Sequence, residues 1–196
     1  MKIISIENLK GGPGKTTTAI NMAYILAEKE KRVLLVDNDP QGNSSKFFGY
    51  EGIQPNINDV YMGKGNEDIL RAAIKETKYK NLNILPSTDD LAGAIIEMSK
   101  AGEITILREC LQKLEPDYDF IIIDNSAQMT ANVVNAIVAS NDIIVPAEID
   151  SFNMDGLDEI KKQIQNIKMS GLNDNVKFAG MLITRYNGRT KIDREP

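Results

Sequence analysis

Three groups of residues in this chain have types and spacing suited to phosphate and metal chemistry. The first is Lys10-Gly11-Gly12-Pro13-Gly14-Lys15-Thr16-Thr17-Thr18. Glycines let backbone N–H groups close around phosphate oxygens, and a helix that starts there adds partial positive charge. In such a loop Lys15 reaches the β- and γ-phosphates and the Thr16 hydroxyl binds Mg²⁺. Gly11, Gly12, Pro13, Gly14, Lys15, Thr16 and Thr17 are therefore candidate contacts for a nucleoside triphosphate. Pro13 brings no N–H, and the flanking amides remain. The second group is Asp37-Asn38-Asp39-Pro40-Gln41-Gly42, and the third is Asp124, which closes Tyr118-Asp119-Phe120-Ile121-Ile122-Ile123. A carboxylate in such a place orders a water for in-line attack or holds Mg²⁺-bound waters. Alone, each would read as a turn after a strand. Beside the glycine loop, the chemical reading is preferred.

These groups must be held by the elements around them. Apolar runs at Ile3–Ile6, Arg32–Val36, Asn81–Pro86, Phe120–Ile123, Ile143–Val145 and Val176–Thr184 read as strands, with Pro146 as a terminator. Helical spacing marks Thr17–Lys31, Leu91–Ser99, Glu103–Leu114, Thr130–Ala139 and Asp155–Met169. Gly42–Gly65 is the least regular stretch and reads as a mobile loop with short helices. Continuous apolar strands separated by helices predict an α/β fold, a doubly wound and mostly parallel sheet with helices on both faces. Ligands in such sheets sit at the carboxyl ends of the strands, where the loop, Asp37, Asp39 and Asp124 fall.

Composition narrows the chemistry. The 196 residues, 42% hydrophobic and 26% charged, suit one domain with a sizeable core. A net charge of −5 argues against a wholly basic nucleic-acid binder and leaves room for a local basic patch. With no histidine, His triads and zinc–histidine sites are excluded. The single cysteine, Cys110, reads as a core or partly buried thiol. The chain opens on a core strand and has no apolar run near ~20 residues, so a cytoplasmic protein without a leader is expected.

Further residues point to a family. A standard loop would carry glycine at position 9; this chain has Leu9, with an extra lysine, Lys10, before Gly11-Gly12. That arrangement resembles the deviant Walker A motif of the ParA/MinD ATPases, and implies that Lys10 reaches across a dimer interface to the partner's phosphates. The stretch Val33–Asn43 resembles the D-x-D-P-Q-G element of ParA proteins, which implies Asp39 as the water-positioning carboxylate with Asp37 in support. Tyr118–Asp124 looks like a Walker B strand. Leu85–Ala94 resembles the P-S-x-x-x-L-A-G-A segment of ParA/Soj partition proteins. Ile144–Glu148 and Met154–Leu157 also resemble segments of that family. Leu182–Thr190 is similar to the segment near the adenine in related ATPases, so Arg185 is a candidate base contact or, equally, a salt-bridged surface arginine. The polar stretch Asn187–Pro196 has no amphipathic membrane helix of the MinD kind. One cysteine cannot hold the cluster of nitrogenase iron protein.

Two departures stand out. Where the family follows its Walker B aspartate with a small residue and Pro-Pro or Ala-Pro, this chain has Asn125-Ser126-Ala127-Gln128. It also ends at Arg194-Glu195-Pro196, before the family's last strand and helices. The resemblance implies one ATPase domain over residues 1–196 lacking those last elements, with ATP and Mg²⁺ as cofactors. It assigns catalysis to Lys10, Lys15 and Asp39, and the metal to Thr16, Asp39 and Asp124. Implied partners are a second copy of the chain, a ParB-like adaptor and non-specific DNA, with no membrane; nucleoid association would follow from DNA binding. The alternatives are a nucleotide-gated switch with negligible hydrolysis and a metabolic P-loop enzyme that activates a small carboxylate.

Overall fold

The computed structural model describes residues 1–148 and 153–185. The elements in chain order are β1 Lys2–Ile6, α1 Lys15–Glu28, β2 Val33–Asn38, α2 Asn43–Phe47, α3 Ile57–Met62, α4 Glu67–Ala73, β3 Lys75–Glu76, β4 Leu82–Leu85, α5 Leu91–Ala101, α6 Ile106–Gln112, β5 Phe120–Asn125, α7 Ala131–Ala139, β6 Asp142–Ala147, α8 Asn153–Met169 and β7 Lys177–Ile183. The seven strands among the described residues form one sheet in the order β3-β4-β2-β5-β1-β6-β7. Every pairing is parallel except that of β3 with β4. This is the doubly wound architecture that the apolar runs predict.

Side-chain alternation sends successive residues of a strand to opposite faces. Val33, Leu35, Ile122, Ile4 and Ile6 pack against Ala19, Ala23 and Ala27 of α1. Leu34, Val36, Ile121, Ile123 and Ile3 pack on the other face against α3 to α7. The stripe Leu157, Ile160, Ile164 and Ile167 of α8 is buried against Ile143, Val145 and α7. Val33–Val36 and Ile121–Ile123 are fully buried, each side chain stabilising by about 1.5–3 kcal/mol. Cys110 is buried on α6, where burial pushes its thiol up to about 12.

Several boundaries differ from the sequence expectation for physical reasons. Helix α1 starts at Lys15, two residues early, because Gly14 in the left-handed region caps it. Strands β2 and β5 run on through Asp37-Asn38 and Asp124-Asn125, which keep pairing with each other. Strand β6 continues through Pro146 to Ala147; the Pro146 carbonyl accepts from Asn8 Nδ2 at 2.7 Å, past the end of β1. Helix α6 starts at Ile106 instead of Glu103, since Gly102 ends α5 in the left-handed region and Thr105 intervenes. The stretch 42–65 contains α2 and α3, the latter opened by a capping box of Asn56 and Asp59.

Candidate nucleotide site

The loop after β1 wraps the N-terminus of α1. Gly12 and Gly14 have φ of +89° and +93°, a region that L side chains rarely enter, which explains two of the loop's glycines. A 14-residue helix follows, so the N–H groups of its first turn lack intrahelical acceptors and face the loop. Two tethers fix the loop from outside. Asn8 Oδ1 accepts from the Lys10 N–H at 2.8 Å, and Thr184 Oγ1 donates to the Pro13 carbonyl at 2.8 Å. Pro13 thus costs the loop one N–H and supplies the carbonyl that ties it to the end of β7.

Lys15 is mostly buried, and its Nζ donates to the Lys10 carbonyl at 3.3 Å. Burial lowers its pKa, while Asp124, Glu7 and Asp39 oppose that by their charge. Asp124 is 1% exposed; its Oδ2 accepts from Ser44 Oγ at 2.8 Å. Its Oδ1 is buried without a hydrogen-bond partner of normal geometry, close to the Thr16 side chain. Burial raises the Asp124 pKa, and Ser44, Thr16 and Lys15 pull it back.

Asp37 is held by hydrogen bonds from the chain itself. Its Oδ2 accepts from the Ser45 N–H at 2.8 Å and Ser45 Oγ at 2.7 Å, and its Oδ1 from the Asp39 N–H at 3.3 Å. Burial and the Asp124 charge raise its pKa. Ser45 Oγ in turn accepts from the Ser87 N–H at 2.8 Å, so Asp37 ties β2 to α2 and to the end of β4. Asp39 is half-buried at the mouth of the site, with Oδ1 accepting from the Gln41 N–H at 2.9 Å. Glu7 is fully buried behind the loop, its pKa raised chiefly by burial and opposed by Lys15.

A cleft of about 670 Å³ opens over this floor. Gly11, Gly12, Gly14, Lys15, Thr16, Thr17 and Asp39 line it from one side, and Ser126, Ala127, Gln128 and Thr130 from the other. Most of the residues named from the sequence therefore meet in one place. Lys10 and Pro13 contribute backbone rather than cleft lining, and Arg185 lies outside that lining, paired with Glu148 Oε1 at 2.7 Å. The Tyr186–Thr190 part of the adenine-segment resemblance and the tail Asn187–Pro196 lie outside the described residues. Sequence reasoning missed Ser44, Ser45, Ser87 and Thr184, which hold the chemical groups. Their one signal was position: Ser44 and Ser45 follow the Val33–Asn43 element, and Ser87 and Thr184 lie within the family-like segments Leu85–Ala94 and Leu182–Thr190.

The donor set suits a hard cation bound together with phosphate. Mg²⁺ keeps several waters and takes one or two protein oxygens plus phosphate oxygens. Asp124 Oδ1, an orphaned buried oxygen beside the Thr16 hydroxyl, fits that requirement. Among the described residues there is no cluster of three or more His, Cys, Asp or Glu that would make an all-protein cage. Neither is any described helix long and apolar enough to cross a membrane.

Comparison with known proteins agrees with this geometry. A family model described as an AAA domain matches residues 1–178. The chain is 37% identical over 193 residues to the chromosome partitioning protein ParA of Myxococcus xanthus, covering 97% of this chain and 67% of that protein. It is 34% identical over 192 residues to the chromosome-partitioning ATPase Soj of Thermus thermophilus, covering 98% and 72%. Among solved structures, a cobyrinic acid a,c-diamide synthase of Mycobacterium smegmatis with a bound ATP analogue and magnesium superposes with a TM-score of 0.90. It is 31% identical, covering 99% of this chain and 79% of that one. A glycine loop with a second lysine, strand-end carboxylates in register and near full-length similarity to partition proteins lead to one assignment: the chain belongs to the ParA/Soj family of partition ATPases.

Proposed function

We propose that this protein hydrolyses ATP with Mg²⁺ in a face-to-face dimer that partitions DNA. The observation that carries the reading is the convergence of Lys15 and Thr16, which line the cleft, with the buried Asp124 carboxylate that interacts with both. The first-turn amides of α1 and the amides of Gly11–Gly14, other than at Pro13, bind the phosphates. Lys15, itself 8% exposed, neutralises charge that builds on the transferred phosphoryl group. Thr16 and Asp124 would hold the metal, with Asp39 reaching its waters; Mg²⁺ there would supply positive charge to offset that of the phosphates. Asp39, at the mouth, orients the attacking water. Lys10 acts on the phosphates of the partner subunit, and Arg185 is the candidate for the base.

We read residues 1–196 as one ATPase domain. Family likeness supports a cytoplasmic, nucleoid-associated role with non-specific DNA and a ParB-like adaptor as partners. The structural likeness to a diamide synthase favours a second reading, ATP-driven activation of a small carboxylate; turnover that requires such a molecule would establish it. The test of the main reading pairs Lys10→Ala with Asp39→Ala. Asp39→Ala should bind ATP within threefold of wild type and lose about 10²–10³ in turnover, the usual effect of removing a preorganised polar group at a transition state. Lys10→Ala should abolish ATP-dependent dimerisation in sedimentation. Unchanged turnover in the first, or an unchanged dimer in the second, would remove that residue's role.

A further inference from the structure

Strands β2 and β5 end in the same dipeptide, Asp-Asn, and pair in register: Asp37 with Asp124 and Asn38 with Asn125. Alternation places the two aspartates on the α1 face and the two asparagines on the opposite face, among α3 and α7. Both asparagines are at most 1% exposed. Asn38 Nδ2 donates to Asn125 Oδ1 at 2.6 Å and to the Asn132 carbonyl at 3.0 Å, while Asn38 Oδ1 accepts from Tyr61 OH at 3.0 Å. Asn132 Nδ2 returns a bond to the Asn38 carbonyl at 2.7 Å. On its far side Asn125 Nδ2 donates to Ser5 Oγ at 3.3 Å, and Ser5 Oγ accepts from Ser140 Oγ at 3.0 Å. A buried polar row thus crosses β2, β5 and β1.

Buried amides are costly unless satisfied, and satisfied networks fix one arrangement. Here the arrangement fixed is that of two chemical segments. Asn38 lies between Asp37 and Asp39. Asn125 lies between Asp124 and Ser126, and Ser126, Ala127, Gln128 and Thr130 line the cleft together with the glycine loop. Ser126 Oγ is buried and has no hydrogen-bond partner of normal geometry. Thr130 Oγ1 donates to Asn132 Oδ1 at 2.6 Å, so the far end of the segment is tied to the same network. We infer that Asn38, Asn125 and Asn132 form a clasp that locks the Asp39 turn and the 126–130 segment into one unit, positioning both walls of the cleft for hydrolysis. This rests on the reading of Asp39 as the water-orienting group. The asparagines are positioning residues; they touch no substrate.

The experiment compares Asn38→Ala, Asn125→Ala and the triple variant Tyr61→Phe/Asn38→Ala/Asn125→Ala with wild type, all normalised to the fraction that binds ADP. Each single variant should lose at least tenfold in kcat with KM for ATP changed less than threefold. In Asn38→Ala, amide hydrogen exchange should speed up at 126–130 as well as at 39–41, although the change is made only in β2. The triple variant removes the buried hydroxyl and both side-chain amides together, so it should regain thermal stability over the singles while turnover stays low. Turnover that returns with stability would reduce the clasp to a folding element and overturn the inference. So would single variants within twofold of wild-type kcat, or exchange that changes only beside the mutated residue. If the singles do not fold, the triple variant decides the matter by the same kcat and exchange readouts. Asp39→Ala is assayed in parallel: unchanged turnover there refutes the Asp39 reading, whereas the exchange pattern reports on the clasp alone.

Discussion

Replacing Asp124 by asparagine should stabilise the empty protein at neutral pH while weakening its response to metal. Asp124 is 1% exposed, and burial holds its carboxyl at about 6 instead of the ordinary 3.8. Because the folded value is the higher one, the folded state is favoured while the carboxyl is protonated and loses that advantage as pH rises from about 4 to about 6. The full penalty amounts to about 3 kcal/mol at most and persists above that window. Asparagine keeps an acceptor for Ser44 Oγ and places its NH₂ at the orphaned position beside Thr16. Lys15 loses a counter-charge in the exchange, so the expected gain is smaller, about 2 kcal/mol, or about 4–8 °C in Tm for a domain of this size.

The assay is urea unfolding in EDTA at about pH 4.5 and about pH 7.5, below and above most of the window. Asp124→Asn should match wild type closely at the lower pH and exceed it at the higher. Adding Mg²⁺ with ADP should then narrow the gap by more than half. A ligand at 100 times its Kd stabilises by about 2.7 kcal/mol, and a tenfold weaker variant forfeits about half of that. A variant less stable than wild type at pH 7.5 in EDTA, or a gap that does not change with pH, would refute the reasoning about the buried carboxyl.

Two further substitutions probe the loop. Gly14→Ala meets only ordinary contact with Thr184 Cγ2 at 3.6 Å, so its cost is the left-handed backbone, about 1–2 kcal/mol, seen as a lowered Tm together with weaker ATP binding by calorimetry. A neutral Tm would show that the loop changes conformation freely. Thr184→Val deletes the hydrogen bond to the Pro13 carbonyl at about 1 kcal/mol. It should raise the Kd for ATP several-fold with little effect on kcat at saturation; an unchanged Kd would mean that the tether does not shape the loop.

The glycine loop, Asp39 and Asp124 were legible in the sequence because each is a contiguous word at the end of an apolar run. What stayed hidden depends on which strand lies beside which. The run Val33–Asn38 is buried at every position, so hydrophobicity carries no alternation to say which face each side chain takes. The two-residue β3 is too short for any pattern, and Tyr61, Ser5 and Ser140 reach the asparagines across 23, 120 and 135 residues of chain at successive links. One signal was nonetheless present. Of the three Asp-Asn pairs, those at 37–38 and 124–125 close β-rich apolar runs, whereas 174–175 precedes a strand. If the two runs pair in register, the repetition sorts carboxylates to one face and amides to the other. A one-residue slip would exchange them, burying a carboxylate against Tyr61 and an amide against Lys15. The same dipeptide therefore serves chemistry and register together: on the α1 face Asp124 meets Lys15 and Asp37 meets Ser45, and the amide pair bonds as it does only when they are there.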